Sequence, residues 1–169
     1  MLIRALRAMG FAADVSKVAG SFAKQISLAE DLSSGTKIIS RSADEVNAIF
    51  VASGSYAPYT PGTIINEVLT TKPSTCVRVW TQGSNEATSC WLTTADEIAG
   101  LTPVQIQKKL GLKNIPTHIC NVNVPNGTKL RIGNVGPAVG QPGGAIQVEL
   151  LESIPSDLFV FPGRLISNP

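Results

Sequence analysis

The sequence predicts an α+β fold: an N-terminal helical segment followed by a small, mainly antiparallel β-sheet packed on short helices. Two patterns support this class. Apolar residues recur every three or four positions over residues 1 to about 32, as expected for an amphipathic helix. From Thr63 onward the apolar period becomes two, as expected for strands with one buried face.

Composition narrows the function classes. The 169 residues are 43% apolar and 15% charged, so the chain can bury a core. A net charge of +2 is too small to attract nucleic acid by bulk electrostatics, and any RNA contact must rest on a local patch. Three cysteines without CxxC spacing and a single histidine favour neither a disulfide framework nor a metal site. We therefore expect no metal and no cofactor.

No apolar run approaches the roughly 20 residues that cross a bilayer, so we expect no stable membrane span. The uncharged stretch 46–66 is rich in Ser, Gly, Pro and Thr and is predicted to be a linker. We accordingly expect a helical delivery or linker region at residues 1–55 and a catalytic domain at residues 56–169.

Within the second unit, strands are predicted at about 75–80, 117–124, 129–135 and 145–151. A capping box from Thr102 to Gln105, with Pro103 at the first helical position, predicts a helix at 103–110.

His118 is the first candidate catalytic residue, because histidine alone has an unperturbed pKa suited to acid–base work near neutrality. Its strand face is otherwise apolar, so a packing role is the alternative. Thr128, Lys129 and Arg131 follow a Pro-Asn-Gly turn, and the two cations share a strand face that could hold a phosphate. The other interpretation is that these cations lie on an exposed edge strand and prevent aggregation.

A second group lies on two other strands. Arg78 is mid-strand beside Trp80, where a guanidinium suits phosphate or pyrophosphate oxygens or pairs structurally with Glu149. Gln147 and Glu149 share a strand face directly after a glycine-rich loop, Gly133 to Gly144. A carboxylate and an amide placed together can hold ribose hydroxyls, and the loop would let a ligand approach the backbone closely.

Several segments occur together in one order, and they cover roughly residues 42 to 165: Ser42-Ala-Asp-Glu-Val-Asn, Tyr59-Thr-Pro-Gly-Thr, Val77-Arg-Val-Trp, Gly100-Leu-Thr-Pro-Val-Gln-Ile, Val124-Pro-Asn-Gly-Thr-Lys-Leu-Arg and Gly143-Gly-Ala-Ile-Gln-Val-Glu-Leu. With them the chain resembles the variable C-terminal toxin regions of contact-dependent growth inhibition proteins and related filamentous haemagglutinins of Gram-negative bacteria.

The resemblance implies an antibacterial toxin, exported as part of a large cell-surface protein and delivered to the cytoplasm of a neighbouring cell. It also implies a cognate immunity protein, encoded by the neighbouring gene, that blocks the active site. Delivery factors in the target cell are a further implied partner.

Two chemistries compete among such toxins. The favoured expectation is a metal-independent ribonuclease of the barnase, EndoU, colicin and RelE-like fold that cleaves transfer RNA. His118, Arg78, Thr128 and Arg131 would then be catalytic, with Lys129, Gln147, Glu149 and Trp80 binding substrate.

The alternative is an NAD glycohydrolase or ADP-ribosyltransferase-like toxin, in which Arg78, Gln147 and Glu149 would hold NAD. A non-catalytic interaction domain is the third hypothesis, and it predicts no toxicity on expression.

Overall fold

The computed structural model describes residues 15–34, 37–84 and 86–166. The helices are α1 (Val15–Ser33), α2 (Ala43–Ala52), α3 (Ala95–Ile98) and α4 (Pro103–Leu110), with a 3-10 turn at Ser156–Leu158. The strands are β1 (Ile39–Ser42), β2 (Ile64–Leu69), β3 (Ser74–Trp80), β4 (Trp91–Thr93), β5 (His118–Val124), β6 (Lys129–Asn134), β7 (Ile146–Leu150) and β8 (Arg164–Leu165). The predicted α+β class is confirmed. The N-terminal part of the expected first helix, residues 1–14, lies outside the described residues.

All strands belong to one antiparallel sheet in the order β1-β2-β6-β7-β4-β3-β5-β8. Strands β5 and β6 are consecutive in the chain, yet β7, β4 and β3 lie between them in the sheet. Only residues 125–128 join β5 to β6. The sheet must therefore curve strongly for so short a connection to span three strands.

The two faces of the sheet bury different clusters. On one face α1 contributes Ala29 and Leu32 to the larger core, which contains Val122, Ile132 and Val148. On the other face α4 packs Ile106 against Val77 and Val79 of β3. A third cluster on that same face joins α2 to Tyr59 and Ile65. Both faces are thus covered by helices over part of their area.

The predicted linker at 46–66 is wrong. Residues 43–52 form α2 and residues 64–69 form β2, while Tyr59 between them has no exposed surface. Strand β1 also pairs with β2 along its length. A run without charges is expected for a buried segment as well as for a linker, and here burial explains it. Packing therefore continues across residue 55, and the division into delivery and catalytic regions stays a prediction.

The helix starts follow local sequence. Thr102 and Gln105 form the predicted reciprocal capping box, and Gly111 ends α4 in the left-handed conformation that glycine adopts without strain. Ser42 caps α2 by accepting a hydrogen bond from the Asp44 amide. Among the described helices, none has the length and apolar character needed to cross a membrane.

Candidate functional site

A row of polar and aromatic side chains crosses four neighbouring strands on the face that α2 covers. The pairing register places Glu67 of β2 opposite Arg131 of β6, Arg131 opposite Glu149 of β7, and Glu149 opposite Trp91 of β4. Residues directly opposite each other in antiparallel strands have neighbouring side chains. The register therefore brings two carboxylates to either side of one guanidinium.

Every nitrogen of the Arg131 guanidinium donates to a carboxylate. Nε and Nη2 donate to Glu67 Oε1 at 3.2 and 3.0 Å, and Nη1 donates to Glu149 Oε2 at 2.9 Å. Arg41 of β1 adds a second ion pair to Glu67 Oε1 at 2.9 Å. We call Arg41, Glu67, Arg131, Glu149 and Tyr59 the arginine–glutamate cluster. Its two cations balance its two anions, so it carries no net charge.

Tyr59 completes the cluster from the loop between α2 and β2. Its hydroxyl donates to Glu149 Oε2 at 2.6 Å. The side-chain amide of Asn47 holds the Tyr59 backbone at both ends, donating to the carbonyl at 2.9 Å and accepting from the amide at 3.0 Å. The Tyr59 ring lies over Gly133, where a Cβ would come within 2.5 Å of it. Glycine at position 133 thus makes room for the ring that orients Glu149.

Burial and the ion pairs set the protonation of these groups. Burial and then the Glu149 carboxylate raise the pKa of Tyr59, so the phenol stays protonated and remains a donor. Burial alone would raise the pKa of Glu67, but the hydrogen bonds from Arg41 and Arg131 outweigh it, and the net pKa is lowered. Burial opposes the charge of Arg131, yet Glu149 and Glu67 keep its pKa above the usual range. The cluster therefore holds Glu67 and Arg131 in their charged forms beside one protonated phenol.

The bonds of the cluster use one oxygen of each carboxylate. Glu67 receives all its hydrogen bonds at Oε1, and Glu149 receives its bonds at Oε2. Gln147, next along the same face of β7, donates through Nε2 to the Pro58 carbonyl at 2.8 Å. Within the described chain, Glu67 Oε2, Glu149 Oε1 and Gln147 Oε1 have no hydrogen-bond partner among these contacts. The row therefore offers acceptors rather than donors.

The glycine-rich loop has mainly a packing role. A Cβ at Gly136 would come within 2.6 Å of the Tyr59 carbonyl, and one at Gly143 within 2.5 Å of the Gly136 carbonyl. Gly144 is different, because no atom lies within 4 Å of its Cβ position. Gly140 is also open at its Cβ position. Space beside the backbone of the loop is thus found at Gly140 and Gly144, and not at Gly136 or Gly143.

His118 lies far from the cations with which it was grouped. It pairs with Trp80 and stacks on its ring at 5.3 Å, on the face of the sheet opposite to Arg131 and Glu149. Three strands separate β5 from β6. His118 and the Thr128–Arg131 segment, expected together in one ribonuclease site, therefore lie apart, because β5 and β6 follow each other in sequence but are not adjacent in this sheet. Trp80 is 6% exposed and packs in the core rather than at a binding surface.

Arg78 occupies the same face as Trp80 and is buried. Its Nη2 donates to the Glu86 carbonyl at 2.9 Å and its Nη1 reaches the Trp91 carbonyl at 3.4 Å. Burial lowers its pKa. The expected joint site of Arg78 with Gln147 and Glu149 is corrected: Arg131, not Arg78, is the strand arginine beside Glu149.

Thr128 and Lys129 have surroundings different from those of Arg131. Thr128 is buried, and its hydroxyl donates to the Pro125 carbonyl, which closes the turn into β6. Lys129 is exposed and shares the strand face of Arg131, and its backbone amide donates to Glu152. The structure thus shows a turn-forming contact for Thr128, and its catalytic role stays a prediction.

Sequence reasoning missed Tyr59, Glu67, Arg41, Asn47 and Trp91 as members of the site. Glu67 carried a usable signal, since it is the only charged residue in the apolar strand Ile64-Ile-Asn-Glu-Val-Leu. A carboxylate in such a strand needs a partner when the strand is buried. The pairing of β2 with β6 supplies that partner, and no local pattern encodes it.

We expect acid to weaken the fold partly through Glu67. Its pKa is lower in the folded chain than in the unfolded chain, so its contribution to stability is complete above the ordinary glutamate pKa of about 4.3 and is lost as the pH falls below it. Urea unfolding of the wild type and of Glu67→Gln across this range measures the effect. The variant should show a shallower dependence of unfolding free energy on pH; equal slopes would show that Glu67 is not coupled to folding.

Within the described residues, no group of three or more His, Cys, Asp or Glu side chains is arranged to hold a metal ion.

No protein-family model and no curated protein sequence matches the chain. Among solved structures, it is similar in fold to a chain of the structure of Tne2 in complex with Tni2, with a TM-score of 0.51 and 16% sequence identity. The similarity covers 64% of this chain and 97% of that chain. At this identity the comparison establishes a shared fold.

Proposed function

We propose that this protein is an antibacterial toxin domain that consumes NAD by hydrolysing its nicotinamide–ribose bond. The Tne2–Tni2 complex, taken as a toxin with its immunity protein, supports the toxin role. The reaction is inferred from the arginine–glutamate cluster and Gln147. Delivery as the end of a large exported protein belongs to the same proposal.

One observation carries the choice of substrate: the row presents carbonyl and carboxylate oxygens, while its guanidinium is already neutralised by Glu67 and Glu149. Oxygen acceptors suit the hydroxyls of a ribose. A phosphate needs free donors and net positive charge, whereas every guanidinium nitrogen of Arg131 already donates to a carboxylate and the cluster carries no net charge. The site therefore favours a nucleoside ribose over the phosphate of an RNA backbone.

The chemistry of NAD also fits a site without histidine. When the bond between ribose C1′ and the nicotinamide nitrogen breaks, the bonding electron pair goes to the positively charged ring, which leaves as neutral nicotinamide. The leaving group therefore needs no proton from a general acid. The ribose carbon becomes positively charged, water adds to it, and the added water releases a proton.

Glu149 would stabilise the positive charge that develops on the ribose, since a fixed carboxylate is effective where water is excluded. Arg131 and Tyr59 hold Oε2 of Glu149 and thus aim Oε1, while Gln147 Oε1 accepts a ribose hydroxyl. Gln147 is 7% exposed and Glu149 6%. We infer that a neighbouring side chain shifts to admit the ribose, and half-buried Trp91 borders Glu149 directly.

Ribonuclease activity stays the alternative that the sequence favoured, but two of its proposed residues, His118 and Arg131, lie on opposite faces of the sheet. A general acid or base has to lie within hydrogen-bond reach of the reacting group. His118 is on one face of the sheet and the Arg131 segment on the other, which argues against joint action of the two on one phosphate.

Induced expression of the chain in a bacterium without an immunity protein tests the proposal. We expect growth to stop and cellular NAD to fall before any loss of transfer RNA, both measured in the same samples. Cleaved transfer RNA with unchanged NAD would support the ribonuclease alternative, and normal growth with soluble, folded protein would support the interaction domain.

A further inference from the structure

Helix α2 has two faces of different character. Its inner face consists of Ala43, Val46, Asn47 and Phe50, which lie against Tyr59, Ile65 and Trp91. Helical periodicity places the remaining residues on a continuous outer face. A surface helix normally carries charged and polar residues there.

The second half of that outer face is apolar instead. Ile49 is 68% exposed and Val51 is 58% exposed, with Ala48 and Ala52 also exposed between them. Tyr56, in the loop that follows, is 74% exposed. No charged residue occurs from Val46 to Asn66. We call Ala48, Ile49, Val51, Ala52 and Tyr56 the α2 patch.

The two acidic residues of α2 border this patch. Asp44 and Glu45 are exposed in the first turn of the helix, one to two turns from Ile49 and Val51. An apolar centre with an aromatic residue and a charged rim is the composition of protein–protein interfaces. The rim is negative, so the partner surface that fits it is apolar with basic residues at one side.

The α2 patch lies directly outside the candidate site. Phe50 on the inner face contacts Trp91 at 5.7 Å between ring centroids, and Asn47 holds both backbone groups of Tyr59. A protein bound to the outer face would therefore cover the helix that positions Tyr59 against Glu149. Binding of a protein to the outer face of α2 would thereby restrict the candidate site and inhibit it.

We propose that the α2 patch is the docking surface for the cognate immunity protein, which presents to it an apolar surface with a basic margin. This inference rests on the proposed toxin function, though not on the choice of NAD as substrate. A partner seated on α2 would hold Phe50 against Trp91 and prevent the side-chain movement that admits a ribose.

Calorimetric binding to the purified protein encoded by the neighbouring gene tests the surface. We expect Ile49→Glu and Tyr56→Asp each to weaken binding by about thirtyfold or more, because truncated or charged anchor positions dominate interface energetics. Leu165→Glu is the matched control: it places the same charge at a residue that is 71% exposed on β8, at the opposite edge of the sheet. That variant should bind like the wild type.

Hydrogen exchange supplies a measurement that needs no substitution. Amides of residues 48–56 should exchange more slowly in the complex than in the free chain. Equal affinity of the wild type and both α2 variants, protection confined to other segments, or failure of the neighbouring protein to bind the wild type would each overturn the inference. If protection appears at 48–56 while NAD is not consumed, the docking surface stands and the proposed reaction fails.

Discussion

Replacing Arg131 with methionine is expected to lower the free energy of unfolding by about 3 kcal/mol, the lower end of the cost of removing one partner from a buried ion pair, because Arg131 keeps 15% exposure. The change leaves Glu67 and Glu149 without the guanidinium that separates them, and Arg41 is the one cluster cation that remains. Methionine keeps most of the side-chain volume, so the loss reports charge rather than packing. Urea unfolding followed by circular dichroism measures it.

Lys129→Met is the matched control for this prediction. It removes a cation from the same face of the same strand, but Lys129 is exposed, and exposed substitutions usually change stability by less than about 0.5 kcal/mol. A similar loss of unfolding free energy in both variants would show that the ion pairs of Arg131 are not the cause of the loss. A near-neutral Arg131→Met would contradict the description of the cluster as an interdependent network.

Glu149→Gln is expected to reduce the rate of NAD hydrolysis by about a hundredfold or more, the scale on which a fixed electrostatic group stabilises a transition state. The substitution keeps the shape of the side chain and an oxygen for the Tyr59 hydroxyl, while it removes the charge that stabilises the ribose cation. Gln147→Ala should also reduce the rate strongly, because it removes an acceptor for a ribose hydroxyl. Nicotinamide release from the purified variants measures both effects.

His118→Ala separates the two chemistries. Because the histidine stacks on Trp80 across the sheet from Glu149, its removal should leave the rate of NAD hydrolysis within a few-fold of the wild type. Unchanged activity in Glu149→Gln together with loss of activity in His118→Ala would reverse the assignment of the site. Circular dichroism of each variant distinguishes loss of activity from loss of fold.

The local elements could be predicted from sequence because their causes are local. The capping box at Thr102 and Gln105 and the period-two strands β5, β6 and β7 lie close to their expected positions. Helix capping and side-chain alternation depend on residues that are close together in the sequence.

The candidate site depends on strand order, which is not local. Arg131 follows His118 closely in sequence, yet β6 pairs with β2 and β7, while β5 pairs with β3 and β8. Glu67 is 64 residues from Arg131 in sequence and bonds to it directly. A pair of that kind becomes visible only when the sheet is assembled. The burial of Tyr59 also depends on residues distant in sequence. Its segment has the composition of a linker, but Asn47 binds its backbone and Gly133 leaves room for its ring.

The most direct test of the central claim is a parallel assay of the purified wild-type protein with NAD and with transfer RNA, both in the presence of EDTA. We predict stoichiometric release of nicotinamide and ADP-ribose from NAD, and intact transfer RNA, because the arginine–glutamate cluster offers ribose acceptors, carries no net charge and engages every guanidinium nitrogen of Arg131. Intact NAD beside cleaved transfer RNA would contradict the account.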